Sequence, residues 1–125
     1  LSPPDMKLPI QYALAHPRRH DGPARRLDFT EAFRLEFEPP DPRRFPAVRL
    51  GHEAAARGGT AGAVLNAANE AAVGEFLGGR MRFTDIAEAC ARVLDAHQFQ
   101  PVPSLDDVRR LDAWARQEVV QWARS

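Results

Sequence analysis

A single cysteine, Cys90, excludes an internal disulfide, so this chain of 125 residues must be held together by packing and hydrogen bonds alone. The lone thiol is compatible with a reducing cytosol but leaves the redox compartment open. Seventeen basic residues balance seventeen acidic ones, and the formal net charge is zero. No global field therefore draws the chain to nucleic acid or to an anionic membrane. No apolar run approaches the roughly 20 residues that span a bilayer. A glycine-rich phosphate loop is missing, and so is a carboxylate set spaced for a divalent metal. His16, His20 and His52 show neither the HExxH pattern nor a paired spacing with acidic residues that would build a zinc site. The chain starts Leu-Ser without the basic-then-apolar layout of a leader, and it reads as a piece of a longer, cytoplasmic protein.

What is present fits a folded helical body. Hydrophobic residues make up 44% and charged residues 27%, and a chain of this length buries roughly two-thirds of its unfolded surface, enough for one core. Pro9 and Pro17 bracket a short helix over Leu8 to His16. Arg18 to Arg26 carries four arginines with His20, Asp21, Gly22 and Pro23, the composition of a solvated loop. The same cluster could hold a phosphate, but no aromatic residue interleaves with its arginines. From Phe33 to Glu38 the period becomes two, with Phe33, Leu35 and Phe37 on one side, which predicts one strand closed by Pro39-Pro40. A lone strand cannot satisfy its backbone groups, so this one should pair with a sheet the chain lacks.

The remainder predicts four helices. Phe45-Pro46 opens the first, which runs to Arg57 and is stopped by Gly58-Gly59; the second spans Ala63 to Leu77 before Gly78-Gly79. Thr84 is the expected N-cap of a third, with Ile86, Cys90, Val93, Leu94 and His97 on one stripe. Ser104 with Asp107 makes a capping-box start for the last, whose stripe is Val108, Leu111, Ala115, Val119 and Trp122. The fold class is mainly α: a small four-helix bundle over residues 39–125, preceded over residues 1–38 by a short helix, a loop and one β-strand.

The polar residues that stand out lie on these helices. Leu65, Ala68, Ala72 and Phe76 share a stripe, and Asn69 falls about 40° from its centre, so Asn69 is expected to be buried and to bond backbone groups near Pro40 to Phe45. Asn66 lies one turn before Glu70 and either joins Asn69 in that clamp or faces water. Asp112 and Arg116 form an i,i+4 pair of structural character. Cys90 is expected in the core rather than as a reactive thiol, and His97 as a partner of the last helical carbonyls rather than a metal ligand.

The run LNAANEAAVGEFL from Leu65 to Leu77, followed by MRFTDI at Met81 to Ile86, resembles the carboxy-terminal part of the 1-deoxy-D-xylulose 5-phosphate reductoisomerase family. Pro4 to Leu14 is similar to that family's PDM-basic-x-PI-x-x-A-L segment, and Leu27-Asp28-Phe29, Phe37, Pro40-Asp41 and Arg44-Phe45-Pro46 follow in the family's order. One departure is Ala71, where the family more often has valine. The resemblance implies a longer enzyme that rearranges 1-deoxy-D-xylulose 5-phosphate and reduces it with NADPH to 2-C-methyl-D-erythritol 4-phosphate, a step of non-mevalonate isoprenoid synthesis. It implies magnesium or manganese as Lewis acid, a homodimer, and NADPH-binding and catalytic domains upstream in the same chain, to which residues 1–38 would be the tail. On that basis no catalytic residue or metal ligand is expected within this chain, whose helices would support the catalytic domain. The family's methionine beside the nicotinamide corresponds to Met6, and the adjoining proline to Pro4; otherwise Met6 is a core residue. Two other readings stay open: a freestanding helical interaction module that adds Phe33 to Glu38 to a partner sheet, and a helix-turn-helix binder.

Overall fold

The computed structural model describes residues 4–30 and 32–124. It divides into two compact units, Leu1–Glu38 and Pro39–Ser125. The described residues form five helices, α1 (Lys7–Ala15), α2 (Pro46–Arg57), α3 (Ala61–Leu77), α4 (Asp85–Ala96) and α5 (Leu105–Trp122).

In the first unit, Asp5 Oδ1 accepts from the Lys7 amide at 2.9 Å and so satisfies one of the free donors at the start of α1. The arginine-rich loop after α1 is exposed but tied back to the helix. Gln11 Nε2 donates to the carbonyls of His20 and Asp21 at 3.1 and 3.2 Å, and the Arg19 guanidinium sits 4.5 Å from the Tyr12 ring centroid. The strand expected over Phe33 to Glu38 is not formed: the described residues contain no β-ladder, and Phe33, Leu35 and Phe37 are all exposed. A period-two pattern supplies one amphipathic face but no neighbouring strand, and without that neighbour extended backbone gains no ladder hydrogen bonds.

The second unit is the expected four-helix body. Pro46 occupies the first turn of α2, where its missing N–H costs nothing, and Gly58 closes the helix at φ 65° with its amide bonded to the Ala54 carbonyl. The α5 capping box forms: the Asp107 amide donates to Ser104 Oγ at 3.2 Å while Asp107 Oδ2 accepts from the Ser104 amide at 3.1 Å. The Ser104 hydroxyl also donates to Asp107 Oδ2 at 2.6 Å, and that bond foremost, with Arg110 and the Ser104 amide, brings the Asp107 carboxyl down to about 2. Thr84 precedes α4 but its hydroxyl makes no cap, so the expected N-cap bond is not formed; Asp85 instead ties back the preceding turn by accepting from the Arg82 amide.

The core sets the position of α3. Among the described residues, seven of the fourteen buried hydrophobic ones are alanine, five of them α3 or α2 residues facing inward beside Val64 and Leu50. Side chains this small let helix axes approach closely, and α3 packs against α5, α4 and α2 together. The buried residues of α3 are Ala61, Val64, Ala67, Ala68, Ala72 and Glu75. At about 100° per residue their arc is centred roughly 60° away from the stripe drawn through Leu65 and Phe76. Asn69 is accordingly exposed, on the outer side of α3, and the expected burial and clamp are corrected. The bulky residues are not the deepest here: the close contact selects alanines and pushes Phe76 to the rim.

A paired substitution measures this. Ala68 is fully buried, so Ala68→Leu should overpack the α3 contact and cost about 1–3 kcal/mol. Asn69→Leu, on the exposed side, should stay within about 0.5 kcal/mol of the parent. Urea unfolding of both variants checks the phase of the helix, and the reverse order of effects would return Asn69 to the core.

Candidate functional site

The Pro4-Asp5-Met6 segment lies at the entry to α1. The Met6 carbonyl accepts from the Ile10 amide at 3.1 Å, which fixes its backbone to the helix, while its side chain is 69% exposed. Pro4 is exposed as well. A held backbone with a free thioether suits contact with a flat apolar ring, because the side chain is polarizable and adapts its shape. Burial of Met6 in a core is not what the structure has.

On the second unit, three of the singled-out residues meet. Arg116 donates through Nε to Asp112 Oδ2 at 2.8 Å and through Nη2 to Glu70 Oε2 at 2.7 Å, and Asn66 Nδ2 donates to Glu70 Oε1 at 3.1 Å. The group bridges α3 and α5. Arg116 beside them holds both Asp112 and Glu70 below the usual carboxylate value, with the Asn66 bond adding to the effect on Glu70. Their charges raise Arg116 in return, Asp112 foremost. Asn69 takes no part. With Arg116 and Asp112 each more than a third exposed, the bridge orients the helices and adds little to stability.

The buried polar residues are Thr60, Glu75 and His97, and only His97 was expected to bond. Its Nδ1 lies 2.7 Å from the Leu94 carbonyl, an acceptor, so Nδ1 carries the hydrogen and Nε2 faces the Thr60 hydroxyl at 3.4 Å. Thr60 also binds the connection that follows α4. Its amide donates to the Gln100 carbonyl at 3.0 Å, and its Oγ1 accepts from the Gln100 amide at 3.0 Å. Gly59 must be glycine for this approach: its φ is 49°, and a Cβ there would stand 2.2 Å from the Gln100 oxygen. The available signal was a threonine just before a helix, which reads as a local cap. Its use across 40 residues is not visible in sequence. Glu75 on α3 is held by Arg80, whose Nε donates to it at 2.6 Å; that bond lowers the Glu75 carboxyl.

Cys90 is buried, and desolvation pushes its thiol up to about 11. Among the described residues no three His, Cys, Asp or Glu side chains gather where a metal ion could sit. Among them, too, no helix is long and apolar enough to cross a membrane.

The Thr60 junction yields an expected outcome. Thr60→Val keeps the shape but leaves the Gln100 amide and His97 Nε2 without their partner, which should cost about 1–3 kcal/mol. Thr60→Ser, which retains the hydroxyl, should recover most of it. Equal losses in chemical unfolding would show that the methyl group, and not the hydrogen bonds, is what matters.

Comparison with known proteins places this geometry. Residues 1–118 match the model of the DXP reductoisomerase C-terminal domain. The 1-deoxy-D-xylulose 5-phosphate reductoisomerase of Rhodopirellula baltica is 55% identical over 116 residues, 93% of this chain and 26% of that protein. The enzyme of the same name from Desulforamulus reducens is 48% identical over 118 residues, 94% of this chain and 30% of its own length. Among solved structures, the reductoisomerase of Zymomonas mobilis in complex with NADPH superposes with a TM-score of 0.82 at 42% identity, covering 100% of this chain and 33% of that one. A DOX-P reductoisomerase in complex with NADPH, fosmidomycin and magnesium gives 0.79 at 33% identity, covering 99% and 33%. The chain thus spans about a third or less of the relatives it matches. With residues 1–118 matched by the family model and a relative 55% identical over 93% of its length, the chain belongs to the DXP reductoisomerase C-terminal domain family.

Proposed function

We propose that this chain is the carboxy-terminal part of a cytoplasmic, homodimeric reductoisomerase that converts 1-deoxy-D-xylulose 5-phosphate to 2-C-methyl-D-erythritol 4-phosphate with NADPH. In this reading residues 39–125 support catalytic domains lying upstream in the same polypeptide, and residues 1–38 are the tail of those domains. The observation that carries it is the 55% identity, over 93% of the chain, to a protein named for this reaction. Magnesium or manganese, when bound, supplies Lewis-acid stabilisation of the charge that develops on the substrate oxygens. In this reading its ligands come from the upstream part of the polypeptide.

This chain's own contribution near the chemistry is Met6, with Pro4 preceding it. The exposed thioether at the start of α1 is the apolar group offered to the nicotinamide ring of NADPH. Arg116 joins α5 to Glu70 on α3, with Asp112 and Asn66 bonded to that pair from their own helices, a structural role away from substrate.

Two outcomes test the reading. The purified 125-residue chain should show no substrate-dependent NADPH oxidation above a heat-treated control, whereas the intact gene product should show it. Activity from the short chain would defeat the support role. In the intact enzyme, Met6→Ala should weaken the KM for NADPH or lower kcat by about 2–10-fold, in line with the roughly 0.3–1.5 kcal/mol of a sulfur–aromatic contact. The same change should leave the melting of the short chain unaltered, because the side chain is exposed there. Unchanged kinetics would remove Met6 from the cofactor site.

A further inference from the structure

Helix α3 is packed on three sides, by α2, α4 and α5, and one face is left bare. At about 100° per residue that face is a sector of roughly 100° carrying Gly62, Asn66, Asn69, Val73, Phe76 and Leu77, nearly opposite the buried arc. Its character changes along the helix. The amino-terminal half presents Gly62 and two carboxamides, both exposed, and Asn69 offers its donors and acceptor to no described partner. The carboxy-terminal half is apolar: Val73 is half-buried, Leu77 is 77% exposed, and Phe76 stands edge-to-face with the 72% exposed Phe83, ring centroids 5.7 Å apart.

This face is also preorganised. The Arg80–Glu75 pair and the Arg82–Asp85 pair fix the turn that carries Phe83, and the turn is short, with Gly79 at φ 72°. A rigid helix face that is apolar at one end and carries an unpaired carboxamide, Asn69, beside the Glu70-bonded Asn66 at the other resembles half of a domain interface more than a solvated surface.

We infer that the outer face of α3 is the docking surface for the upstream part of the same polypeptide, with Phe76, Leu77 and Phe83 entering an apolar contact and Asn66 and Asn69 bonding backbone groups of the segment laid over them. The inference rests on the reading of this chain as the carboxy-terminal part of a longer enzyme. The occupant follows from the relatives: roughly two-thirds of the solved Zymomonas mobilis chain lies outside the region matched here. The matched region is itself the C-terminal domain of the family, so the uncovered length is upstream. A carboxamide face suits irregular or edge backbone, whose N–H and C=O groups need both a donor and an acceptor.

Thiol labelling tests the cover directly. Asn69→Cys and Leu77→Cys are placed singly in the 125-residue chain and in the intact gene product, with Val102→Cys, 91% exposed and off this face, as the control. Maleimide modification is followed by mass spectrometry of the peptides that contain each site. Both test thiols should react about tenfold or more slowly in the intact protein than in the short chain, while Val102→Cys reacts equally in the two. Equal rates at Asn69 and Leu77 in an intact product that turns over substrate would overturn the inference and leave the enzymatic reading standing. Protection that fades on dilution would assign the face to a second copy and overturn the intrachain occupant. A gene product that has no upstream domains would overturn the reading and the inference together.

Discussion

The constraint on which the second unit depends is the close approach that α3 makes to three other helices at once. A helix can meet three neighbours only if the side chains between them are small, and α3 meets that demand with Ala61, Ala67, Ala68 and Ala72 around Val64. Phe76 and Leu77 are then displaced outward to the rim, where they make the apolar end of the outer face. Alanine adds helix propensity of its own, so the same residues that allow the approach also stabilise the element that makes it.

Much of the architecture was legible because it is local. Pro46, Gly58 and the Ser104–Asp107 box each act within one turn of chain, and the elements they bound fall within two residues of expectation. The phase of α3 was not legible in the same way. Hydrophobic periodicity ranks positions by side-chain size, so it centred the stripe on Leu65 and Phe76 and drew Asn69 inward. The real arc follows fit against the neighbours, and nothing local to α3 reports the size of the gap those neighbours leave. The strand over Phe33 to Glu38 failed for a related reason. Its alternation is genuine, but a strand is a property of two segments, and the sequence displays one.

The polar sites divide along the same line. Asp112 with Arg116 and His97 with the Leu94 carbonyl lie three or four residues apart, and both were expected. Glu70 joining Arg116 across 46 residues, and Thr60 joining Gln100 across 40, arise only once helices have packed. The second of these matters more to the fold, since a hydroxyl that is wholly buried must find partners, and Thr60 finds them in the backbone of the α4–α5 connection. It fastens the start of α3 to the α4–α5 connection, while the Ala68 region fixes its middle and the Arg80–Glu75 pair its end.

The ionisable groups take their charge states from the same packing. Glu70, Glu75, Asp85, Asp107 and Asp112 all have their carboxyls lowered, in each case chiefly by bonds to an arginine or, for Asp107, to Ser104. A general acid working near neutral pH needs a shift in the other direction, since a carboxyl held low has already lost the proton it would donate. Cys90 is moved upward, toward the neutral thiol, where a nucleophile needs it lowered. The environments that set these directions are local: arginines bond the carboxylates, and apolar neighbours keep the thiol protonated. What the second unit leaves exposed is the outer side of α3, with Phe76 and Leu77 at its rim.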